Sequence, residues 1–186
     1  GNVQLRPTEE IMLTATNVAV KSTLITGIEG TLASFQLRRS GFSIESLVLM
    51  ATADRSLGGF MDIVGPITLT VSSFVLDRNA TNKVTGNVTL SLAGIRLFPN
   101  GGFVTTSATD LSVTYDFSNG LSSTGDLSIR VGTFKLGFGE ALEVEAADVV
   151  LTPGAPDVFA SIGSATARSP QFEFLPTLSL TNLQLR

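Results

Sequence analysis

The residues with the greatest chemical potential in this chain are three carboxylates. Glu143 and Glu145 stand two apart, with Asp148 close behind. Paired carboxylates at such spacing can divide acid and base roles. Alternation along a strand would equally place Glu143 and Glu145 side by side on one solvated face, and that is the expected reading. No other constellation supports catalysis. The chain has no His and no Cys, so a nucleophile would have to be a Ser, Thr, Asp or Lys activated by another group. A Gly-x-Ser-x-Gly elbow is absent. The chain is therefore expected not to be an enzyme. Asp77, Asn79 and Asn82 share one short polar stretch, and their oxygens would suit Ca²⁺. An ordinary Asp/Asn-rich turn is the expectation there, with calcium as the alternative and no other cofactor implied. Asn79-Ala-Thr81 and Asn87-Val-Thr89 match the short glycosylation sequon.

The elements that carry these residues follow one eight-residue pattern. It is clearest at Leu90–Leu97 (LSLAGIRL) and Leu178–Leu185 (LSLTNLQL). Apolar residues occupy positions one, three, six and eight. Near-copies start at Leu13, Gly30, Phe42, Leu69, Thr106, Ile129, Val144 and Ala160. Spacing of two within each half is the period of a strand. A straight strand would send the two halves to opposite faces, because position one to position six is an odd step. The fifth position reads Asn17, Ser34, Ser46, Ser73, Gly94, Asp110, Thr133, Asp148, Ser164 and Asn182. These residue types tolerate unusual backbone angles or bond their own backbone. A β-bulge or sharp strand corner there would bring all four apolar side chains to one face. Phe35, Phe42, Phe74, Phe117 and Phe134 fall at apolar positions of strands and are read as packing residues.

Composition agrees. Hydrophobic residues make up 43% and charged residues only 15%, which excludes a disordered tail and suits a sheet with a weakly charged Ser/Thr/Gly-rich outer face. A net charge of −4 argues against nucleic-acid binding. No apolar run is long enough to span a bilayer as a helix. Helix signals are weak throughout, and only Thr8-Glu9-Glu10 suggests a single helical turn. Turn signals recur instead, at Gly58-Gly59, Asp77–Lys83, Asn100-Gly101-Gly102 and Asn119-Gly120, so antiparallel hairpins are expected. Ala51 to Gly65 is the least regular stretch and reads as a long loop or a poorly paired segment. Pro66 then opens a firmer strand series.

A longer repeat lies above the octad. Ile11–Val20 lines up with Leu142–Leu151, and Phe35–Arg38 resembles Leu183–Arg186. Residues 11–50 thus resemble 142–186, as in a window of a tandem array. The termini also match, as Asn2-Val-Gln-Leu-Arg6 and Asn182-Leu-Gln-Leu-Arg186.

With these features in hand, the stretches ATNVAV, GFSIESLVL, LSLAGIRLFP, ATDLSV, AADVVLTPGAP and FASIGSATARSP resemble the tandem β-strand repeats of large secreted or surface proteins of bacteria, including planctomycetes. That resemblance implies an extracellular or cell-surface role, structural or adhesive, with no catalytic residues. Leu90–Leu97 and Leu178–Arg186 also look like strands of AsmA/TamB-like proteins. That likeness implies a periplasmic β-groove holding lipid tails.

The expected fold is all-β. It is an elongated, mostly antiparallel strand-repeat module, a layered sheet or solenoid-like, with little or no helix, forming one unit over residues 1–186. One apolar face should be buried, because an octad cannot cover its own stripe and stacked neighbours can. The expected function is a non-catalytic module of a fibre, filament or adhesin. Its partners would be other copies of itself or neighbouring repeats, joined through strand edges. Val3, Leu5, Leu183 and Leu185 on the end strands are the candidate self-association residues. The alternatives are the lipid-binding groove and a phage tail-fibre or carbohydrate-binding sandwich.

Overall fold

The computed structural model describes residues 1–6, 10–21, 27–52, 54–118, 126–155, 157–172 and 174–186. Twelve strands run through them: β1 Asn2–Leu5, β2 Ile11–Lys21, β3 Ile28–Arg38, β4 Gly41–Ala51, β5 Arg55–Leu57, β6 Met61–Asp77, β7 Val84–Leu97, β8 Val104–Asp116, β9 Leu127–Phe138, β10 Leu142–Leu151, β11 Ala160–Arg168 and β12 Leu178–Leu185. No α-helix occurs among the described residues. The strands form one open antiparallel sheet in sequence order, with β5 off the path beside the start of β6. The expected all-β, antiparallel strand module is therefore what the chain builds. Two expected features, the turn at Thr8–Glu10 and the Asn119-Gly120 hairpin, fall wholly or largely outside the described residues.

The register explains why one pattern serves every strand. The octad is its own mirror image: read backwards, apolar residues still fall at one, three, six and eight. An antiparallel neighbour can therefore match it row for row. Leu13, Ala15, Val18 and Val20 of β2 face Leu37, Phe35, Leu32 and Gly30 of β3. Those four face Phe42, Ile44, Leu47 and Leu49 of β4, which in turn face Leu76, Phe74, Val71 and Leu69 of β6. The same pairing of position one with eight, and three with six, holds between β9 and β10, β10 and β11, and β11 and β12. Cross-strand pairs of this kind are the unit of sheet stability.

The chain divides into two compact units. One comprises Gly1–Thr52, Ile67–Leu90 and Thr114–Leu127; the other comprises Ala53–Pro66, Ser91–Val113 and Ser128–Arg186. In the first, a run of rings crosses neighbouring strands. Phe35 and Phe42 lie 6.1 Å apart, Phe42 and Phe74 5.8 Å, and Phe74 and Phe117 5.6 Å edge to face. Such geometry adds to area burial. In the second, Phe103 and Phe138 approach to 6.4 Å.

Two expectations need correction. The stretch from Ala51 to Gly65, expected as a long loop or a poorly paired segment, holds a short hairpin. Gly58 and Gly59, at φ 62° and 74°, make the tight turn that pairs β5 with β6, with Arg55 opposite Ile63 and Leu57 opposite Met61. Strand β6 then continues through Gly65 and Pro66, and Asp54 Oδ1 accepts the Gly65 N–H at 2.6 Å. The irregular composition misled because a two-glycine hairpin and a glycine corner need few apolar residues. The apolar face is also less covered than expected. Among the described residues the buried apolar side chains are Ala15, Val71, Val84, Ala108 and Ala160, and no large side chain is fully buried. Most octad positions are half-buried, because their main neighbours are side chains of the adjoining strands.

Candidate functional site

The octad's fifth position is where the backbone departs from an ordinary strand. Asn17, Ser73, Asp110, Asp148 and Asn182 adopt φ between 49° and 54°, the left-handed region. Their counterparts Ser34, Ser46, Thr133 and Ser164 do not. The four Asn and Asp residues at this position are all left-handed, as their short hydrogen-bonding side chains favour. That signal was present in the sequence and marks four of these five octads, Ser73 being the exception.

The left-handed residue makes a corner, not an inserted bulge. From Leu13 to Val20 the pairing with β3 keeps one register across Asn17, and β10 keeps one register with β11 across Asp148. In β2, Ala15 is buried and Leu13, Val18 and Val20 are half-buried, while Asn17 and Ala19 are exposed. The corner thus returns both halves of the octad to one face. Between β3 and β4 neither fifth residue is left-handed, and there the register slips around Ser34 instead. A left-handed residue or a slip is what these pairs use to carry the pattern past its odd step.

In the second unit the corners alternate strand by strand. Gly65 of β6 is left-handed at φ 77°, followed by Asp110 of β8, Asp148 of β10 and Asn182 of β12. Between them, on β7, β9 and β11, stand Ala93, Gly132 and Gly163 at the fourth position of their octads. The facing residues must be small. A Cβ placed on Gly132 would lie 2.8 Å from Asp110 Cβ, and one on Gly163 would lie 2.9 Å from Asp148 Cβ. The register also sets Gly132 opposite Asp148 and Gly163 opposite Asn182, since Val131 pairs with Val149 and Ile162 with Leu183. Strand β10 therefore has a glycine strand on each side.

The end strands are the two edges of the sheet. Val3 and Leu5 are exposed at 61% and 69% of their surface. The register makes β1 a half-octad: Val3 faces Ala15 and Leu5 faces Leu13, so Asn2 to Leu5 hold positions five to eight. Strand β12 holds all eight positions. Leu183 faces Ile162 and Leu185 faces Ala160, and Leu178, Leu180 and Leu185 are more than half exposed. All four expected residues thus lie at an edge, and Leu178 and Leu180 belong with them. Leu178–Leu185 contains no charge and no proline, the usual guards of an edge strand.

The candidate acidic and amide side chains make local contacts. Arg168 donates to Glu143 Oε1 from Nε at 3.0 Å and Nη2 at 2.6 Å. Lys135 Nζ lies 2.8 Å from Glu145 Oε2, and that hydrogen bond, with the carboxylate's charge, holds the Lys135 ammonium above its ordinary pKa. Asp148 sits at its corner. Glu143 and Glu145 thus each hold a separate basic partner. In the loop after β6, Asp77 Oδ1 accepts the Asn79 N–H at 2.9 Å, while Asn82 Nδ2 donates to the Ser118 carbonyl at 3.1 Å. Asp77 and Asn79 form an Asx turn, and Asn82 is directed to Ser118. No group of three or more His, Cys, Asp or Glu suited to a metal occurs among the described residues.

Comparison with known protein families, with curated proteins and with solved structures finds no match to this chain. Function must be argued from the octads, their corners and the two edges.

Proposed function

We propose that this chain is a non-catalytic structural module of an extracellular or cell-surface fibre, filament or adhesin, which joins other copies of itself or neighbouring repeats through its strand edges. The observation that carries this reading is the mirror symmetry of the octad. Every octad pair from β2 to β6 and from β9 to β12 uses the same row-for-row register. One strand type is thus a template for the next, and length grows by repetition. Both edges expose leucine or valine at octad positions, and an exposed apolar edge invites a strand partner. Negative-stain electron microscopy over a range of concentrations tests it. Filaments or end-to-end rods that lengthen with concentration are expected. Isolated particles at every concentration would rule out self-assembly.

A second reading, a lipid-binding β-groove of the AsmA/TamB kind, draws on a different observation. The apolar rows of both units are half-covered rather than buried, and large uncovered apolar patches mark binding surfaces. It would place the protein in the periplasm against lipid tails. Organic extraction of the purified chain followed by mass spectrometry tests it, with stoichiometric lipid expected and an empty extract as the opposing result.

A further inference from the structure

We infer that the outer edge of β12 is a docking site for one more octad strand of a defined kind: antiparallel, without a left-handed fifth residue, and with glycine at its fourth position. The inference rests on the edge-pairing reading above and specifies its partner. In the second unit left-handed and plain octads alternate from Asp110 on β8 to Asn182 on β12. Strand β10 shows what a left-handed octad takes on its two sides, namely Gly132 of β9 and Gly163 of β11. Strand β12 repeats β10 in type. Asn182 stands at φ 54°, as Asp148 does, with Gly163 opposite on its inner side. On its outer side it has no strand among the described residues.

The chemistry of a fitting partner follows from this edge. Its positions one, three, six and eight must be apolar to meet Leu185, Leu183, Leu180 and Leu178. A β-branched or long residue at its fourth position would meet the Asn182 corner, as a side chain on Gly163 would meet Asp148. A second left-handed octad would break the alternation, so β12 of another copy is a poor occupant. Strand β1 of another copy offers only half the pattern. The fitting occupant is a strand of the β9 or β11 type carried by a neighbouring repeat.

A labelled peptide of residues 158–169, containing the β11 octad, is the probe. It is titrated into the purified full chain and followed by fluorescence anisotropy. Saturable binding is expected, weakened about tenfold or more, equivalent to about 1.4 kcal/mol, by Gly163→Val in the peptide or by Leu180→Lys in the chain. Leu180 is 57% exposed, so that variant should fold. Because the chain lacks cysteine, register can be read by disulfide trapping. Gln184→Cys in the chain should capture a peptide carrying Ser161→Cys and not one carrying Thr166→Cys. No saturable binding, equal binding of the Gly163→Val peptide, or indiscriminate trapping would overturn the inference. Filaments by microscopy together with no peptide binding would remove this site and leave assembly standing. Failure of both would remove both.

Discussion

The corner model makes a sharp demand on Gly132. In an ordinary strand, Gly→Ala should stabilise by roughly 0.5–1 kcal/mol, because alanine loses less conformational freedom on folding. At Gly132 the new Cβ would stand 2.8 Å from Asp110 Cβ and 3.1 Å from Asp110 Oδ2. The Cβ–Cβ approach involves rigid atoms, so the strands must separate at the corner. Forced overpacking of this kind typically costs about 1–3 kcal/mol. Gly132→Ala is therefore expected to destabilise by about 1–2 kcal/mol net. Asp110→Gly removes the opposing Cβ and also relieves the left-handed φ of 53°. In that background Gly132→Ala should become neutral or stabilising, a coupling of about 1–3 kcal/mol between the two sites. Urea unfolding followed by circular dichroism on the four proteins measures it. Additive effects, or a stabilising Gly132→Ala in the wild-type background, would refute the claim that the Asp110 corner requires glycine at position 132.

Other perturbations test separate parts of the structure. Ser73 is left-handed without the side chain that best tolerates it; Ser73→Gly should be neutral to stabilising by up to about 1 kcal/mol, whereas Ser73→Val should destabilise by about 1–3 kcal/mol in thermal unfolding. The Ser118 hydroxyl, and then its backbone N–H, donate to the Asp116 carboxylate and hold its pKa below the ordinary value. That contribution is present above pH 3.8 and lost as pH falls through the depressed pKa. Ser118→Ala should move the NMR titration of Asp116 upward, and no movement would discount the hydrogen bonds. Lys135 shifts the other way: its contribution is present below pH 10.5 and lost as pH rises through the raised value. Glu145→Gln should return its titration toward the ordinary range. Calcium at about 1–10 mM, enough for weak extracellular sites, should leave the melting temperature unchanged if Asp77 serves as a turn cap, and a rise abolished by Asp77→Asn would establish a metal site.

Much of this architecture was legible in the residues themselves. The octads starting at Leu13, Gly30, Phe42, Leu69, Ile129, Val144, Ala160 and Leu178 are the segments that pair, in the frame their apolar spacing defines. The reset at position five was also legible, because the odd step between the two halves requires one on any strand. What a single strand cannot specify is a property of pairs. Ser73 turns left-handed while Ser34, Ser46 and Ser164 do not, and identical residue types cannot encode that difference locally. The difference lies in how each strand pairs with its neighbours: Ser34 sits at a register slip, whereas Ser73 lies in an unbroken register with β4. The hairpin at Gly58-Gly59 and the passage of β6 through Pro66 likewise depend on partners that supply most of their stabilising contacts. Spacing alone therefore set the octad strands and their common face, and the register came with the antiparallel neighbours. Only the tertiary structure decided the alternation of corners, the half-covered apolar rows and the open edge at β12, since these depend on what stands beside each strand.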